Sequence, residues 1–374
     1  MSRSKMVVLA LVAMLAMAAC APPVPVNGIS PSDGTGYVTP LVSGDGNTVV
    51  YRREADQNAF YDDARDLVVT RVSPPSTQTF PGVRSILAIS HDGRFVVHGR
   101  VTTSRLDTTT GAEVVLTTGA YGAGFAISDD GSTVVSNGIR YTAGNCPCQR
   151  HVTVWHNGAP ALDHDLGATI NSSNGIDDDF RDFVAVAGDG SAAFVSRWAT
   201  RDVVRIDTTT GAESVVPLQL PPVTGFAPPE TLRIHLFWGE WVDFTSSDAT
   251  TFRFTQDNAV YLVAATHAPL PVPALTTAVG DTPPTLSPNG RWAAQVTRTL
   301  VRPGVNLAAY TVTDLATGNA RQVVTSEEGF PAGSGPFRTF NGVPSVSDDG
   351  RVSYGQWNVP PSGIWDPSVI RIDG

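Results

Sequence analysis

Phe125-Ala-Ile-Ser-Asp-Asp-Gly-Ser-Thr-Val-Val-Ser-Asn-Gly138 decides the fold. It reads as an apolar strand, a Ser-Asp-Asp-Gly turn, and a second strand that alternates polar and apolar residues. Asp-Gly between two such runs is a strong hairpin signal, because Gly takes up positive φ without a steric cost. The pattern recurs at Leu41-Val-Ser-Gly-Asp-Gly46, Ala88-Ile-Ser-His-Asp-Gly93, Ala185-Val-Ala-Gly-Asp-Gly190, Thr285-Leu-Ser-Pro-Asn-Gly290 and Ser345-Val-Ser-Asp-Asp-Gly350. Phe244-Thr-Ser-Ser-Asp-Ala249 holds a seventh place, with Ala where Gly is expected. The turn positions 46, 93, 131, 190, 249, 290 and 350 are spaced by 38 to 60 residues. Units of that length built only from strand signals predict an all-β, seven-bladed β-propeller.

A second motif follows the hairpin. Arg105-Leu-Asp-Thr-Thr-Thr-Gly-Ala-Glu113 recurs as Arg205-Ile-Asp-Thr-Thr-Thr-Gly-Ala-Glu213, and more weakly as Val312-Thr-Asp-Leu-Ala-Thr-Gly318. Each reads as a third strand, a turn held by Asp and Thr side chains and closed by Gly, and a fourth strand. Two hairpins per unit predict four-stranded antiparallel blades. The last unit stops at Ser368-Val-Ile-Arg-Ile-Asp-Gly374, a third strand without a fourth. Val24 to Ser30 is predicted to supply that N-terminal strand beside Val369 to Ile372 and close the ring, which removes exposed sheet edges.

These hairpin and blade motifs resemble the propeller repeats of TolB-type periplasmic proteins, with Thr285-Leu-Ser-Pro-Asn-Gly-Arg-Trp292 the nearest copy. The resemblance covers about residues 37–374 and implies the fold. It implies little about activity, since such propellers serve as partner platforms, sensors and enzyme domains. TolB itself carries an additional N-terminal α/β domain for which residues 21–36 leave no room, so its role in an envelope complex does not carry over.

At the N-terminus, Arg3 and Lys5 precede an apolar run from Met6 to Ala19 that ends at Cys20. The run is short for a bilayer span and fits an export signal over residues 1–20. Met17-Ala-Ala-Cys20 resembles a bacterial lipobox, which implies lipidation of Cys20; cleavage after Ala18 to give a soluble secreted protein is the alternative. Residues 21–36 then form a Pro-rich tether, and 37–374 the propeller.

The chain of 374 residues is 41% hydrophobic and only 16% charged, with 35 Gly and 28 Pro, which suits short strands and turns rather than long surface helices. Lys5 is its sole lysine, so the mature domain has no amine for Schiff-base chemistry. With a net charge of −10 and no basic runs, nucleic acid is excluded as a partner.

Four groups of residues compete for a functional reading. The repeated Ser90, Asp92, Ser128, Asp130, Ser347 and Asp349 resemble an acid–nucleophile set, but a catalytic group is needed once and these recur with every turn, so they read as turn chemistry. Cys146 and Cys148 are expected to form a disulfide across one residue in an oxidising compartment; a metal site with His151 and His156, or free thiols, are the alternatives. Asp177, Asp178, Asp179 and Asp182 lie in one long connection and are a candidate calcium site, against a solvated acidic loop. Phe237, Trp238 and Trp241 are candidate recognition residues, against packing between blades. No Gly-x-Ser-x-Gly elbow, His-Glu-x-x-His pair or phosphate-binding loop is present. The expected function is a membrane-anchored binding or scaffold module for a protein, peptide or glycan at the cell envelope, facing outward or periplasmic. A propeller hydrolase or lyase working at the channel mouth is the alternative. No cofactor is expected apart from the candidate calcium. The spans 136–183, 198–204, 217–243 and 296–310 interrupt the repeat, and the site is expected there.

Overall fold

The computed structural model describes residues 27–28, 36–54, 65–83, 85–99, 102–118, 124–140, 149–168, 184–197, 202–218, 241–245, 252–256, 259–263, 270–276, 284–302, 305–329, 337–359 and 366–373. Among them every regular element is a strand, and the strands form four-stranded antiparallel sheets. Seven such sheets span 36–83, 85–118, 125–168, 184–216, 241–276, 285–329 and 337–373. In the first six the strands follow in chain order from one edge to the other. The first strands of neighbouring sheets touch one another, as between Gly36–Val42 and Ser85–Ile89 or between Phe125–Ile127 and Val184–Val186, so the sheets radiate from a shared axis. This is a β-propeller.

The last sheet takes its fourth strand from the other end of the chain. Asn27 and Gly28 pair antiparallel with Ile372 and Arg371, at the outer edge of the sheet. The expected pairing is thus present for these two residues; the flanking 24–26 and 29–30 lie outside the described residues.

Six of the seven first turns are described, and each holds five residues between its strands: 43–47, 90–94, 128–132, 187–191, 287–291 and 347–351. Their glycines, such as Gly93 and Gly131 at φ 69° and 70°, sit in the left-handed region. Ala249 lies outside the described residues. The third unit closes its second hairpin with Asn157-Gly158, both at positive φ, a two-residue turn that sequence patterning had every means to find.

The alternation of polar and apolar residues in the second strands does not separate a solvated face from a buried one. In Thr133–Arg140 the apolar Val134 and Val135 are fully buried, yet the polar Thr133 and Ser136 are also only 3% and 7% exposed. Each sheet is covered on both faces by its neighbours, so neither side of its inner strands meets solvent. The described apolar side chains accordingly gather into five clusters, most of them between sheets. Val135, Val152 and Val154 meet Val195, Val204 and Ile206 across one junction. Tyr310 and Tyr354 meet across another with ring centres 4.6 Å apart and planes tilted by 41°. At a third, Trp155 Nε1 donates to the Leu116 carbonyl of the preceding sheet at 3.0 Å.

The second turns carry an ion pair as well. Arg94 donates to Asp107 Oδ2 through Nη2 at 2.8 Å and Nε at 3.2 Å, and Arg291 donates to Asp314 Oδ2 through Nη2 at 3.1 Å and to Oδ1 through Nε at 3.4 Å. Burial pushes the Asp107 carboxyl up, but hydrogen bonds from Arg94, the Thr109 hydroxyl and the N–H groups of Thr109 and Thr110 outweigh it and hold the group well below its ordinary value. At Asp314 the Arg291 hydrogen bond is the main cause of a fall in the same direction. A carboxyl depressed in the folded state stabilises above the unfolded pKa of about 4, and that contribution is lost as pH falls toward the folded value. The double variant Asp107→Asn/Asp314→Asn should therefore be less stable at neutral pH and lose less stability than wild type below about pH 4. Urea midpoints measured from pH 7 to 2 check this.

Candidate functional site

The repeated Ser and Asp side chains are consumed by the turns. Ser90 Oγ–H donates to Asp92 Oδ1 at 2.7 Å, Asp92 accepts the Arg94 N–H, and Ser90 Oγ accepts the Phe95 N–H. Ser128 and Asp130 repeat this around Ser132 and Thr133, and Ser287 with Asn289 around Arg291 and Trp292. Ser347 donates to Asp349 in the last turn. Ser90, Ser128, Ser287 and Ser347 are fully buried. A hydroxyl whose proton is given to the Asp or Asn of its own turn, and whose oxygen accepts a backbone N–H, is not poised as a nucleophile, so the expectation of turn chemistry is met.

The second residue of each Ser-x-Asp-Gly turn is the one the repeat does not fix, and the structure brings these residues together around the axis. The Asp45 N–H donates to the His91 carbonyl, His91 to Asp129, Asp129 to Gly188, and Asp348 to Gly44. His91 Nε2 lies 2.8 Å from Asp348 Oδ2, linking the second and seventh sheets across the first. Gly44 makes this possible: a Cβ there would fall 2.2 Å from His91 Cδ2. Asp348 Oδ1 also accepts the Asn289 N–H at 2.7 Å, and the Asp348 carbonyl accepts Asn289 Nδ2. Sequence reasoning passed over His91, Asn289 and Asp348. The available signal was that the position between Ser and Asp varies while its neighbours repeat.

A cavity of about 670 Å³ opens on the fourth sheet. Asp129, Asp189 and Ser191 from the turns, Ala192 and Phe194 from the second strand, Arg205 from the third, and Ser214 to Pro217 along the fourth line it. Asp189 is held below its ordinary pKa, chiefly by the Ser191 N–H, so it is ionised at neutral pH. Two carboxylates against one guanidinium make the wall net acidic. Val215 on the fourth strand is 54% exposed.

Of the residues singled out by sequence, Cys20, Cys146, Cys148, Asp177, Asp178, Asp179, Asp182, Phe237 and Trp238 lie outside the described residues. Trp241 opens the first strand of the fifth sheet and pairs with Thr255. His151, weighed as a metal ligand, has Nδ1 2.7 Å from Asp163 Oδ1, and His156 Nδ1 is 3.1 Å from the Thr133 hydroxyl. Among the described residues no three His, Cys, Asp or Glu gather as a metal site. Two of the four interrupting spans prove to contain strands of the sheets. Residues 296–310 belong to the long hairpin Trp292–Arg302 and Val305–Asp314, and 136–183 contains Gln149–His156 and Ala159–Ala168. Thr, Val and Ala dominate the first hairpin, and such residues extend strands as readily as they fill loops.

No protein-family model and no curated protein sequence matches the chain. Solved structures do resemble it. An oligogalacturonate lyase in complex with manganese superposes with a TM-score of 0.56 at 10% identity, over 95% of this chain and 94% of the lyase. The β-propeller domain of Myceliophteria thermophila Cps50 (Swd1) gives 0.52 at 11% identity, over 94% of this chain and all of that domain. A Pyrococcus horikoshii acylaminoacyl peptidase gives 0.53 at 10% identity, over 92% of this chain but only 52% of the peptidase. The class defined by sheets and neighbours together is an all-β propeller. At these identities the likeness concerns the fold alone.

Proposed function

We propose that the seven sheets close into one seven-bladed ring and that the protein is an exported, lipid-anchored binding module for a protein, peptide or glycan at the cell envelope. One observation carries this reading. The first turns are uniform, whereas the connections 55–64, 141–148, 169–183 and 217–240 all join strands at the opposite end of the sheets. A rigid ring with one uniform face and one variable face suits recognition through its loops. The segment 217–240, which begins at the rim of the cavity and contains Phe237 and Trp238, is the first place to look. The mature chain (21–374) should bind members of a peptide or glycan array saturably, and replacing 217–240 by a Gly-Ser linker should abolish binding without unfolding the ring. An array that retains nothing sinks the reading.

Lipidation at Cys20 supports the placement at a membrane. Wild-type protein expressed in bacteria should incorporate labelled palmitate and sediment with membranes, and Cys20→Ala should do neither. Asp177, Asp178, Asp179 and Asp182 are retained as a candidate calcium site, for which added Ca²⁺ should raise the melting temperature. A hydrolase or lyase at the channel mouth is favoured only by the His91–Asp348 pair; an activity lost in a folded His91→Asn variant would establish it.

A further inference from the structure

The place where the chain enters the last sheet decides how an N-terminal anchor orients the whole domain. Asn27 and Gly28 form the outer strand of the seventh sheet, and their register fixes their height in it. Asn27 pairs with Ile372, Ile372 with Ser353, and Ser353 with Ser345. In the next row Val346 pairs with Val352 and Val352 with Asp373, and there the first turn of the sheet, Ser347 to Arg351, begins. Gly28, paired with Arg371, lies one row the other way. The strand therefore runs from the turn end of the sheet toward the loop end. The chain before Asn27 arrives from the side of the turns.

Six residues separate Cys20 from Asn27, which gives a tether there a reach of about 25 Å when fully extended. Pro22, Pro23 and Pro25 are among them, a composition that favours extended backbone over a folded-back course. A tether that did turn back would spend about 20 Å climbing from the level of Ser353 to Val359, where the second strand ends. Little would remain to pass the long connections joined at that end, such as 217–240. The turn end lies within easy reach and the loop end does not.

We infer that the domain sits with its turn face toward the anchoring membrane and its loop face turned away, so that the partner approaches from the side opposite that membrane. The inference deepens the binding-module reading and rests on lipidation at Cys20. The chemistry of the turn face suits a surface held near lipid by a tether rather than adsorbed to it. Asp45, Asp92, Asp130, Asp189 and Asp349 are exposed there. Arg94, Arg291 and Arg351 lie on the same face, and each holds a carboxylate, at Asp107, Asp314 and Asp349. The remaining negative charge repels anionic head groups. Among the described residues the exposed large apolar side chains, Val114, Val115 and Val215, all lie on fourth strands and none on a turn. The lipid, not the face, has to supply the membrane affinity.

The test exploits the missing lysines. Lys5 belongs to the export signal, so one introduced lysine is the sole side-chain amine of the mature chain. Ala212→Lys and Pro217→Lys place it at exposed positions at the turn end and the loop end of one strand. Each lipoprotein, purified from bacterial membranes, is labelled with an amine-reactive donor dye and reconstituted into phosphatidylcholine vesicles that carry an acceptor dye on their head groups. The chain without an introduced lysine gives the background of the α-amine. With the labels about 17 Å apart along the strand, energy transfer from residue 212 should be at least about twofold stronger than from residue 217. Ala112→Lys and Thr102→Lys repeat the comparison on the second sheet, so that a variant that does not fold leaves the outcome to the other pair. Equal transfer from both ends, or stronger transfer from residues 217 and 102, overturns the orientation and leaves the anchor standing. A wild-type chain that takes up no palmitate and does not sediment with membranes overturns both.

Discussion

Gly131→Ala should destabilise the protein by about 2–4 kcal/mol, and Gly318→Ala by only about 1 kcal/mol, although both glycines adopt nearly the same backbone conformation. Gly131 lies at φ 70° and Gly318 at φ 73°, so each substitution forces an L-residue into the left-handed region at similar cost. The difference is in what the new methyl meets. At Gly318 nothing lies within 4 Å, whereas at Gly131 the methyl falls 2.2 Å from Phe95 Cδ2 and 2.6 Å from Cγ. Phe95 is held in place by Arg94 and Arg105, both within 5 Å of its ring centre, so it cannot move without disturbing the contact between units. Urea midpoints at constant m-value measure the two effects. Shrinking the knob should restore part of the loss: a Phe95→Thr/Gly131→Ala cycle should show a favourable coupling of about 1–2 kcal/mol. Equal losses at the two glycines, or no coupling, would remove steric interlocking as the reason for Gly in these turns.

The second large effect is expected from removing residues 21–35. That deletion takes away Asn27 and Gly28 and leaves the strand Asp366–Asp373 as an open edge. Lost ladder hydrogen bonds at about 1 kcal/mol each should cost about 2–3 kcal/mol. The unpaired N–H and C=O groups should also promote edge-to-edge association. Moving residues 22–35 behind Gly374 should restore both the monomer and the melting temperature, because a local hairpin then supplies the same fourth strand. Light scattering and thermal melts read the outcome. A truncated chain that stays monomeric with an unchanged melting temperature shows that the terminal pairing contributes nothing to stability.

Most of the architecture could be read from the chain because its signals are local. A five-residue turn, a Gly at positive φ and an Asp that caps its own backbone are decided within a few residues, so their recurrence at Gly46, Gly93, Gly131, Gly190, Gly290 and Gly350 marked the sheets and their phase. The partner of Asp366–Asp373 was legible for another reason: counting strands left one hairpin incomplete, and the N-terminal stretch remained to complete it. Alternation was less informative. In Thr133–Arg140 the polar positions do not mark a solvated face, since coverage on both sides leaves Thr133 and Ser136 nearly as buried as their apolar neighbours.

The site was far less legible. His91 and Asp348 are 257 positions apart and meet only because the ring brings the second and seventh sheets past Gly44. Arg205 and Arg105 lie in the same nine-residue motif, and nothing in that motif distinguishes them. What separates them is residue 192, an Ala in place of Phe on a neighbouring strand, and with it a cavity in place of a stacked ring. By itself, then, the sequence determined the kind of sheet and the phase of its turns, since each follows from backbone preferences acting over short distances, and a count of strands gave the pairing of the two chain ends. The tertiary structure alone decided which copies of a repeated residue are consumed in holding the units together, as Arg105 is at Gly131 and Phe95, because that depends on what the next sheet presents across the junction.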